Sequence, residues 1–257
     1  MRLLGLLLLV AVGAAAQTAN RGRAIVEQSL AALGGPTFLA MENRVEQGRL
    51  YSFYREQLNG LATARVYTKY EQPTGPIATK ERQSFGKKEE DYAFLFTDKE
   101  GLQVTFRGVR PLPAGQYEKY VDTTQRNIFY LLRYRLDELG MVFEFKETAV
   151  FDNNPVEIVN ITDAENRMVT VYFHRTTHLP IRQVFVRRDP ETKERMEEMT
   201  VFNKYRDVSG VMWPWSVVRF RNGSKIFEMY SESVSINGKL DENLFAPPLG
   251  AKRLKGE

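Results

Sequence analysis

Residues 168–173 read Met-Val-Thr-Val-Tyr-Phe, an alternation that places Val169, Val171 and Phe173 on one face of a strand. Phe143 and Phe145 repeat this alternation earlier in the chain. Between residues 141 and 245, similar segments follow one another, and Asn, Asp and Gly turn signals separate them. This stretch therefore predicts an antiparallel meander with one wide apolar face.

The same alternation extends to the first half of the chain and predicts about a dozen strands in all. They are expected at residues 45–54, 61–70, 77–85, 92–97, 102–108, 141–151, 156–162, 168–174, 181–188, 194–205, 211–221 and 225–236. Asn59 and Gly60 are typical of a two-residue turn and predict the first hairpin there. Because so large a sheet must curl or close to remove its edges, we expect a mainly β fold with some α. Its form would be an incomplete antiparallel β-barrel covered by helices.

Two helices are expected to accompany this sheet. Val26, Leu30 and Leu33 recur at helical spacing, and a Gly-Gly-Pro stop follows them. Residues 116–139 predict the one long helix, which has an apolar stripe along one side. The stripe consists of Ile128, Leu131, Leu132 and Leu139. Since the stripe must pack against an apolar surface, we expect this helix to act as a lid over the open side of the sheet.

The N-terminus has the pattern of a secretory signal peptide. Arg2 precedes an apolar run, and small residues follow as far as Ala16. A membrane anchor would need about 18 or more apolar residues, and this run is shorter. We expect cleavage after Ala16, export to the periplasm, and a single soluble domain over residues 17–257. The chain contains 0 cysteines, which excludes disulfides, thiolate metal sites and acylation of an N-terminal cysteine.

Charge and motifs disfavour several classes of function. The 36 basic and 32 acidic residues give a net charge of +4 without a long block of one sign, which disfavours nucleic-acid binding. His174 and His178 flank a turn and share no fixed face, so no metal site is expected. Ser84 and Lys87 match an S-x-x-K motif by chance, because the segment reads as β rather than helix. We expect no catalytic residues, no cofactor and no enzymatic activity.

The aromatic content leaves two interpretations open. The 16 Phe, 12 Tyr and 2 Trp residues can form an ordinary β core, or they can line a cavity that two helices are too few to fill. Period-two alternation selects the residues that would line such a lipid-binding cavity. They are Tyr51, Phe53, Phe94, Phe96, Phe106, Phe143, Phe145, Phe173 and Trp213.

Four segments resemble those of a known superfamily. They are the helix end Leu33-Gly34-Gly35, residues 177–182 (THLPIR), residues 205–214 (YRDVSGVMWP) and residues 236–248 (INGKLDENLFAPP). With the order of elements, they resemble the periplasmic lipoprotein-carrier superfamily, the LolA/LolB-like outer-membrane lipoprotein-sorting proteins, over roughly residues 23–248. The resemblance implies a helix-lidded half-barrel that carries acyl chains of lipoproteins or other lipids across the periplasm. It also implies donor and acceptor proteins at the inner or outer membrane.

The leading hypothesis is therefore a monomeric, non-enzymatic periplasmic carrier that holds acylated lipoprotein or other lipid cargo in an apolar cavity. The alternative is an envelope sensor or protein-interaction module with the same fold. A hydrolase with a site built from dispersed carboxylates is the third hypothesis. An unfilled cavity would favour the carrier over the interaction module, and carboxylates with shifted pKa values in a cleft would favour the hydrolase.

Overall fold

The computed structural model describes residues 2–86, 92–189 and 192–256, with side chains described from residue 17 onward. Thirteen strands form one antiparallel sheet in the order β6-β5-β4-β3-β2-β1-β13-β12-β11-β10-β9-β8-β7. The strands are β1 (Asn43–Tyr54), β2 (Gln57–Tyr70), β3 (Thr79–Phe85), β4 (Tyr92–Phe96), β5 (Gly101–Thr105), β6 (Gly108–Pro111), β7 (Val142–Phe151), β8 (Asn154–Thr162), β9 (Met168–His174), β10 (Pro180–Arg188), β11 (Arg195–Val208), β12 (Val211–Arg221) and β13 (Ser224–Ile236).

Two meanders make up this sheet. The strands β1 to β6 run outward to one edge, the strands β13 to β7 run outward to the other, and β1 pairs with β13 in the middle. The edge strands β6 and β7 do not pair, so the sheet remains open. The predicted fold class, a mainly β incomplete barrel with helices, is confirmed.

The helices are α1 (Arg2–Ala32), α2 (Pro36–Leu39), α3 (Ala114–Gln125) and α4 (Ile128–Tyr130), with a π-helical turn (Leu131–Arg135) and a 3-10 turn (Glu242–Phe245). The segment that carries α3, α4 and the π-helical turn connects β6 to β7, the two opposite edges of the sheet. It therefore crosses the open side. Among the described residues, no helix combines the length and hydropathy that a membrane span requires.

The helix predicted at residues 116–139 is not continuous. It breaks after α3, and Asn127 begins a new helical segment because its side-chain oxygen accepts a hydrogen bond from Phe129 N at 2.9 Å. Ile128, Leu131 and Leu132 are buried in the main core, as their spacing predicted. Leu139 is 95% exposed beyond the last helical turn, so its assignment to the lid stripe was wrong.

The first hairpin turns earlier than predicted. Arg55 and Glu56 adopt φ values of 50° and 63°, and these two residues form the turn between β1 and β2. Gly60 lies inside β2 opposite Ser52, next to a β-bulge where the register shifts. The Asn59-Gly60 dipeptide accommodates this irregularity instead of reversing the chain.

The helix α1 packs against the concave face of the sheet over β7. A Cβ at Gly22 would lie 2.5 Å from the carbonyl oxygen of Phe143, so only glycine permits this close approach. Ile25 and Val26 of α1, and Leu33 just after it, belong to the main core, together with apolar residues of β7 to β12. The predicted helix at residues 23–33 is thus present as the C-terminal part of α1.

The C-terminal segment covers the edge strand β6. Val109 N donates to the carbonyl oxygen of Lys252 at 2.9 Å, and Leu254 N donates to the carbonyl oxygen of Val109 at 2.8 Å. Ala251 packs on a second apolar cluster formed by β4, β5 and β6. The segment pairs with backbone groups that an open sheet would leave free.

Candidate ligand cavity on the concave face

Two adjoining cavities lie on the concave face, on the side of the sheet that α1 does not fill. The α3 cavity, about 330 Å³, lies between α3 and strands β1 to β3. The sheet cavity, about 210 Å³, lies against β1, β2, β3, β11, β12 and β13. Arg44, Glu81, Trp213 and Arg219 line both cavities, so the two adjoin. The α3 cavity alone reaches the size range of ~300–1,000 Å³ typical of small-molecule sites.

The sheet cavity has a mixed lining, in which ten of the seventeen residues are apolar or aromatic and seven are polar or charged. Its apolar lining consists of Leu50, Val66, Phe85, Phe129, Phe202, Trp213, Pro214, Val217, Phe227 and Met229. Phe129 comes from α4, and the others come from β3, β2, β1, β13, β12 and β11, which are consecutive in the sheet. The cavity can therefore accept an apolar group.

The helix α3 forms the outer wall of the α3 cavity. None of its residues, all of which are described, is buried. The ring of Tyr120 stacks on Phe96 of the sheet, with the ring centroids 3.7 Å apart. Tyr117 adds a hydrogen bond from its hydroxyl to the carbonyl oxygen of Thr97 at 2.8 Å. At the C-terminal end of α3, Gln125 Nε2 donates to the carbonyl oxygen of Pro76 at 2.7 Å.

The floor of both cavities carries charged side chains, whereas the sequence had predicted an apolar cavity. Arg44 Nε lies 2.7 Å from Glu46 Oε1, and the guanidinium lies 4.0 Å from the ring centroid of Trp213. Arg44 also donates to Tyr70 Oη at 2.5 Å and to Thr68 Oγ1 at 3.1 Å. Burial acts to lower the pKa of Arg44, but Tyr70 and Glu46 outweigh it and raise that pKa overall.

Glu81 is the second charged group of the floor. It lies on β3 beside Gln83, whose amide donates a hydrogen bond to its carboxylate. Burial raises the pKa of Glu81, while Gln83, Arg44 and Arg219 act in the opposite direction. The protonated form is therefore favoured more than in an exposed glutamate.

The predicted cavity residues fall into three groups. Phe96 and Trp213 line the α3 cavity, and Phe94 shares the concave face of β4 with Phe96, their ring centroids 6.4 Å apart. The second group lies on the concave face of the half that α1 fills. It consists of Phe143, Phe145 and Phe173, which pack in or against the main core and line neither cavity.

The third group lies away from the concave face. Leu50 lines the sheet cavity, and because side chains alternate along β1, Tyr51 and Phe53 point to the convex face. Lys225 Nζ lies 4.4 Å from the ring centroid of Phe53. Phe106 is 86% exposed beside the β5–β6 turn. Assigning these three residues to the cavity was wrong, because aromatic alternation in β1 marks the outer face and Phe106 follows the end of its strand.

The residues missed by the sequence-based choice are mostly charged or polar. Arg44, Glu46 and Leu50 of β1 alternate with the aromatic residues that were chosen. The predicted alternation was therefore correct, but the wrong face of β1 was assigned to the cavity. Lys119 and Arg219 carried no motif that could have selected them.

The histidines have a local structural role. His174 Nδ1 accepts hydrogen bonds from Thr176 N and Thr177 N, both at 3.2 Å, and so stabilises the β9–β10 turn. Within the described residues, no group of His, Cys, Asp and Glu side chains has an arrangement that could hold a metal ion.

Solved structures share this fold. A Vibrio parahaemolyticus domain named for outer membrane lipoprotein sorting matches with a TM-score of 0.59 and 12% identity, over 88% of this chain and 97% of that one. A DUF1329 family protein from Desulfovibrio piger matches with a TM-score of 0.62 and 10% identity, over 89% and 97%. A LolA superfamily protein from Nitrosomonas europaea matches with a TM-score of 0.55 and 10% identity, over 89% and 97%.

No family model and no curated protein sequence matches the chain. The likeness is therefore one of three-dimensional structure. It confirms the LolA/LolB-like fold that the sequence resemblance predicted.

Proposed function

We propose that the protein binds the acyl chain of a lipid or lipoprotein in the sheet cavity and carries it without catalysing a reaction. The observation that carries the proposal is an unfilled cavity with a continuous apolar wall and a charged floor, in a half-barrel whose remaining concave face is packed by helices. The fold is shared with a domain named for outer membrane lipoprotein sorting, which supports the same class of ligand.

Binding would be driven by the burial of apolar surface. Each methylene transferred from water contributes ~0.8 kcal/mol, so about six buried methylenes contribute ~5 kcal/mol before ordering costs. The unfilled cavity lowers those costs, because the wall is already in place and little has to rearrange. This magnitude suits reversible carriage.

The proposed lid is α3, rather than the whole segment at residues 116–139. Ile128, Leu131 and Leu132 lie in the main core, where movement would expose apolar surface. The α3 helix has no buried residue of its own and ends just before the capping residue Asn127. Opening at this joint would uncover the α3 cavity while leaving the core intact.

Binding is favoured over hydrolysis by the state of the carboxylates in the cavity. A hydrolase with a site built from dispersed carboxylates would need two carboxylates that are free to act as general acid and general base. Glu46 is in an ion pair with Arg44 and accepts a hydrogen bond from Ser231 Oγ at 3.2 Å. Glu81 is then the one carboxylate with a raised pKa in the described lining.

The remaining parts of the proposal concern the setting of this activity. The leader at residues 1–16 would direct export to the periplasm, where the mature domain would act as a soluble monomer. Donor and acceptor proteins at the inner or outer membrane would load and unload the acyl chain. The intact mass of the exported protein tests the first point: a mature chain that begins at Gln17 is expected.

The test of binding fills the sheet cavity with a side chain. Val66→Trp places an indole into the cavity from β2, and Leu61→Trp places the same side chain on an exposed site of that strand, where Leu61 is 62% exposed. A fluorescent fatty acid should bind to the wild type and to Leu61→Trp, and at least tenfold more weakly to Val66→Trp. Equal binding to folded forms of both variants would contradict the proposal.

A further inference from the structure

A single carboxylate faces several cations next to the α3 cavity. Glu198 Oε1 on β11 lies 3.0 Å from Arg187 Nη2 on β10 and 3.3 Å from Arg221 Nε on β12. Lys119 Nζ on α3 lies 3.7 Å from the same oxygen. Three cations from three elements thus share one carboxylate oxygen.

Arg219 adds a fourth cation to this cluster, which we call the Glu198 cluster: Lys119, Arg187, Glu198, Arg219 and Arg221. Within the described part of the chain, Arg219 forms no ion pair with a carboxylate. Glu198 is therefore paired with three cations, while the charge of Arg219 acts on Glu81 as well.

The excess of positive charge affects Lys119. Burial lowers the pKa of Lys119, and the positive charges of Arg221, Arg187 and Arg219 lower it further, while Glu198 raises it. A lysine that lies beside an ion-pair partner usually has its charged form favoured. The pKa of Lys119 is lowered despite Glu198, chiefly because the lysine is partly buried and also because three arginines lie near it.

The cluster also has the right position for a ligand. Lys119 and Arg219 line the α3 cavity, and Arg219 lines the sheet cavity as well. The side chains of Lys119 and Arg221 are 38% and 36% exposed, so an anion can reach them. Arg187, by contrast, is 10% exposed and would form a fixed inner side of the site.

We propose that the Glu198 cluster binds the phosphate group of an anionic amphiphile whose acyl chain occupies the adjoining sheet cavity. This inference rests on the proposed function and specifies its ligand class. Guanidinium groups donate paired hydrogen bonds to phosphate oxygens, and a lysine adds a point charge. The phosphate would supply the negative charge that the cluster lacks, and α3 would gain a contact through Lys119 when the ligand is bound.

The test compares ligands that share a tail and differ in the head group. Dodecyl phosphate, dodecanol and inorganic phosphate are titrated below micelle-forming concentrations into the wild type, Lys119→Gln/Arg221→Gln and Arg175→Gln. Arg175 is exposed in the β9–β10 turn, so its variant controls for the loss of one charge away from the cavity. Lys119→Arg keeps the charge and serves as a rescue variant, and thermal unfolding checks that each variant is folded.

The wild type should bind dodecyl phosphate at least tenfold more tightly than dodecanol, and this preference should weaken as salt is added. The double variant should lose most of the preference, whereas Arg175→Gln and Lys119→Arg should keep it. Equal wild-type affinities for the two amphiphiles would overturn the inference and leave the proposed function standing. Binding of inorganic phosphate alone, lost in the double variant, would overturn the proposed function and identify free phosphate as the ligand of the cluster. Binding of none of the three would overturn both.

Discussion

The two halves of the concave face differ in what covers them. Over β7 to β10, the inward positions are mostly apolar, and α1 and the segment from Ile128 to Leu132 pack on them to form the main core. Over β1 to β3, β12 and β13, the inward positions include Arg44, Glu46, Glu81 and Arg219, and α3 and the start of α4 lie above them. We call these regions the packed half and the cavity half.

This difference in the polarity of the inward side chains explains why the cavity lies over the cavity half. A helix that packed directly on the cavity half would bury several charged groups away from water, which costs more free energy than the apolar contacts return. On the packed half, the same helix buries apolar side chains and gains stability. Polarity of the inward positions therefore decides which part of an open sheet is filled by its own helices and which remains available to a ligand.

The largest expected contrast between the halves is the cost of removing a phenylalanine. Phe173→Ala in the packed half should lower the free energy of unfolding by ~3–5 kcal/mol, because the site cannot collapse around the void. Phe227→Ala in the cavity half should cost less than ~2 kcal/mol, because Phe227 already faces an unfilled space. Urea denaturation measures both. Equal losses would show that the cavity half is packed in solution.

The second contrast uses two helical glycines. Gly22→Ala should destabilise the protein by ~1–3 kcal/mol, because the added Cβ meets the backbone of Phe143. Gly115→Ala in α3 should stabilise it by up to ~1 kcal/mol, since nothing lies within 4 Å of its Cβ and alanine favours the helix. Opposite signs in thermal or urea unfolding are expected. A stabilising Gly22→Ala would mean that α1 does not approach β7 as closely as described.

The third prediction concerns the charge in the cavity half. Burial raises the pKa of Glu81 above its unfolded value, so this residue costs no stability at low pH and an increasing amount as the pH rises through its folded pKa. Glu81→Gln should therefore stabilise the protein at pH 7, by ~1.4 kcal/mol for each unit by which the pKa is raised. The gain should vanish below about pH 4. Urea unfolding from pH 4 to 8 measures this, with Glu144→Gln on the exposed face of β7 as a control for the loss of one carboxylate. A gain that does not change with pH would contradict the assignment.

The smallest expected effect tests how α3 is held over the cavity half. Tyr120→Ala removes the stack on Phe96, which is worth ~0.5–1.5 kcal/mol beyond its buried area. Loading and release of a fluorescent fatty acid should then become roughly 2-fold to 10-fold faster, whereas Tyr120→Phe keeps the ring and should change the rates little. Stopped-flow mixing measures both rates. Unchanged exchange in a folded Tyr120→Ala variant would show that α3 is not the moving part.

Much of the fold could be predicted from local sequence. Twelve of the thirteen strands correspond to alternating segments, and β6 was missed because it is a short strand, Gly108–Pro111, in a Pro-rich stretch. The helical spacing of Ile128, Leu131 and Leu132 also selected residues that are buried. The first hairpin turn was misplaced because Asn59 and Gly60 suit a bulge as well as a turn.

The candidate site was much less predictable. Alternation along β1 separates Leu50 from Tyr51 and Phe53, but it does not state which set faces inward. The choice of aromatic residues followed the expectation of an apolar cavity, whereas Arg44 and Glu81 on its floor compensate one another only after the strands are paired. No local pattern brings Lys119, Arg187 and Arg221 to the same carboxylate.

The sequence by itself thus determined an open antiparallel sheet with helices, because periods of two and of 3.6 residues depend on near neighbours in the chain. Only the tertiary structure decided which half of the concave face is filled. That outcome depends on α1 meeting β7, more than a hundred residues away, and on the link from β6 to β7 crossing the open side. The cavity is the part of the concave face that these long-range contacts leave uncovered. It stays uncovered because its floor carries charged side chains, which a packed helix would bury.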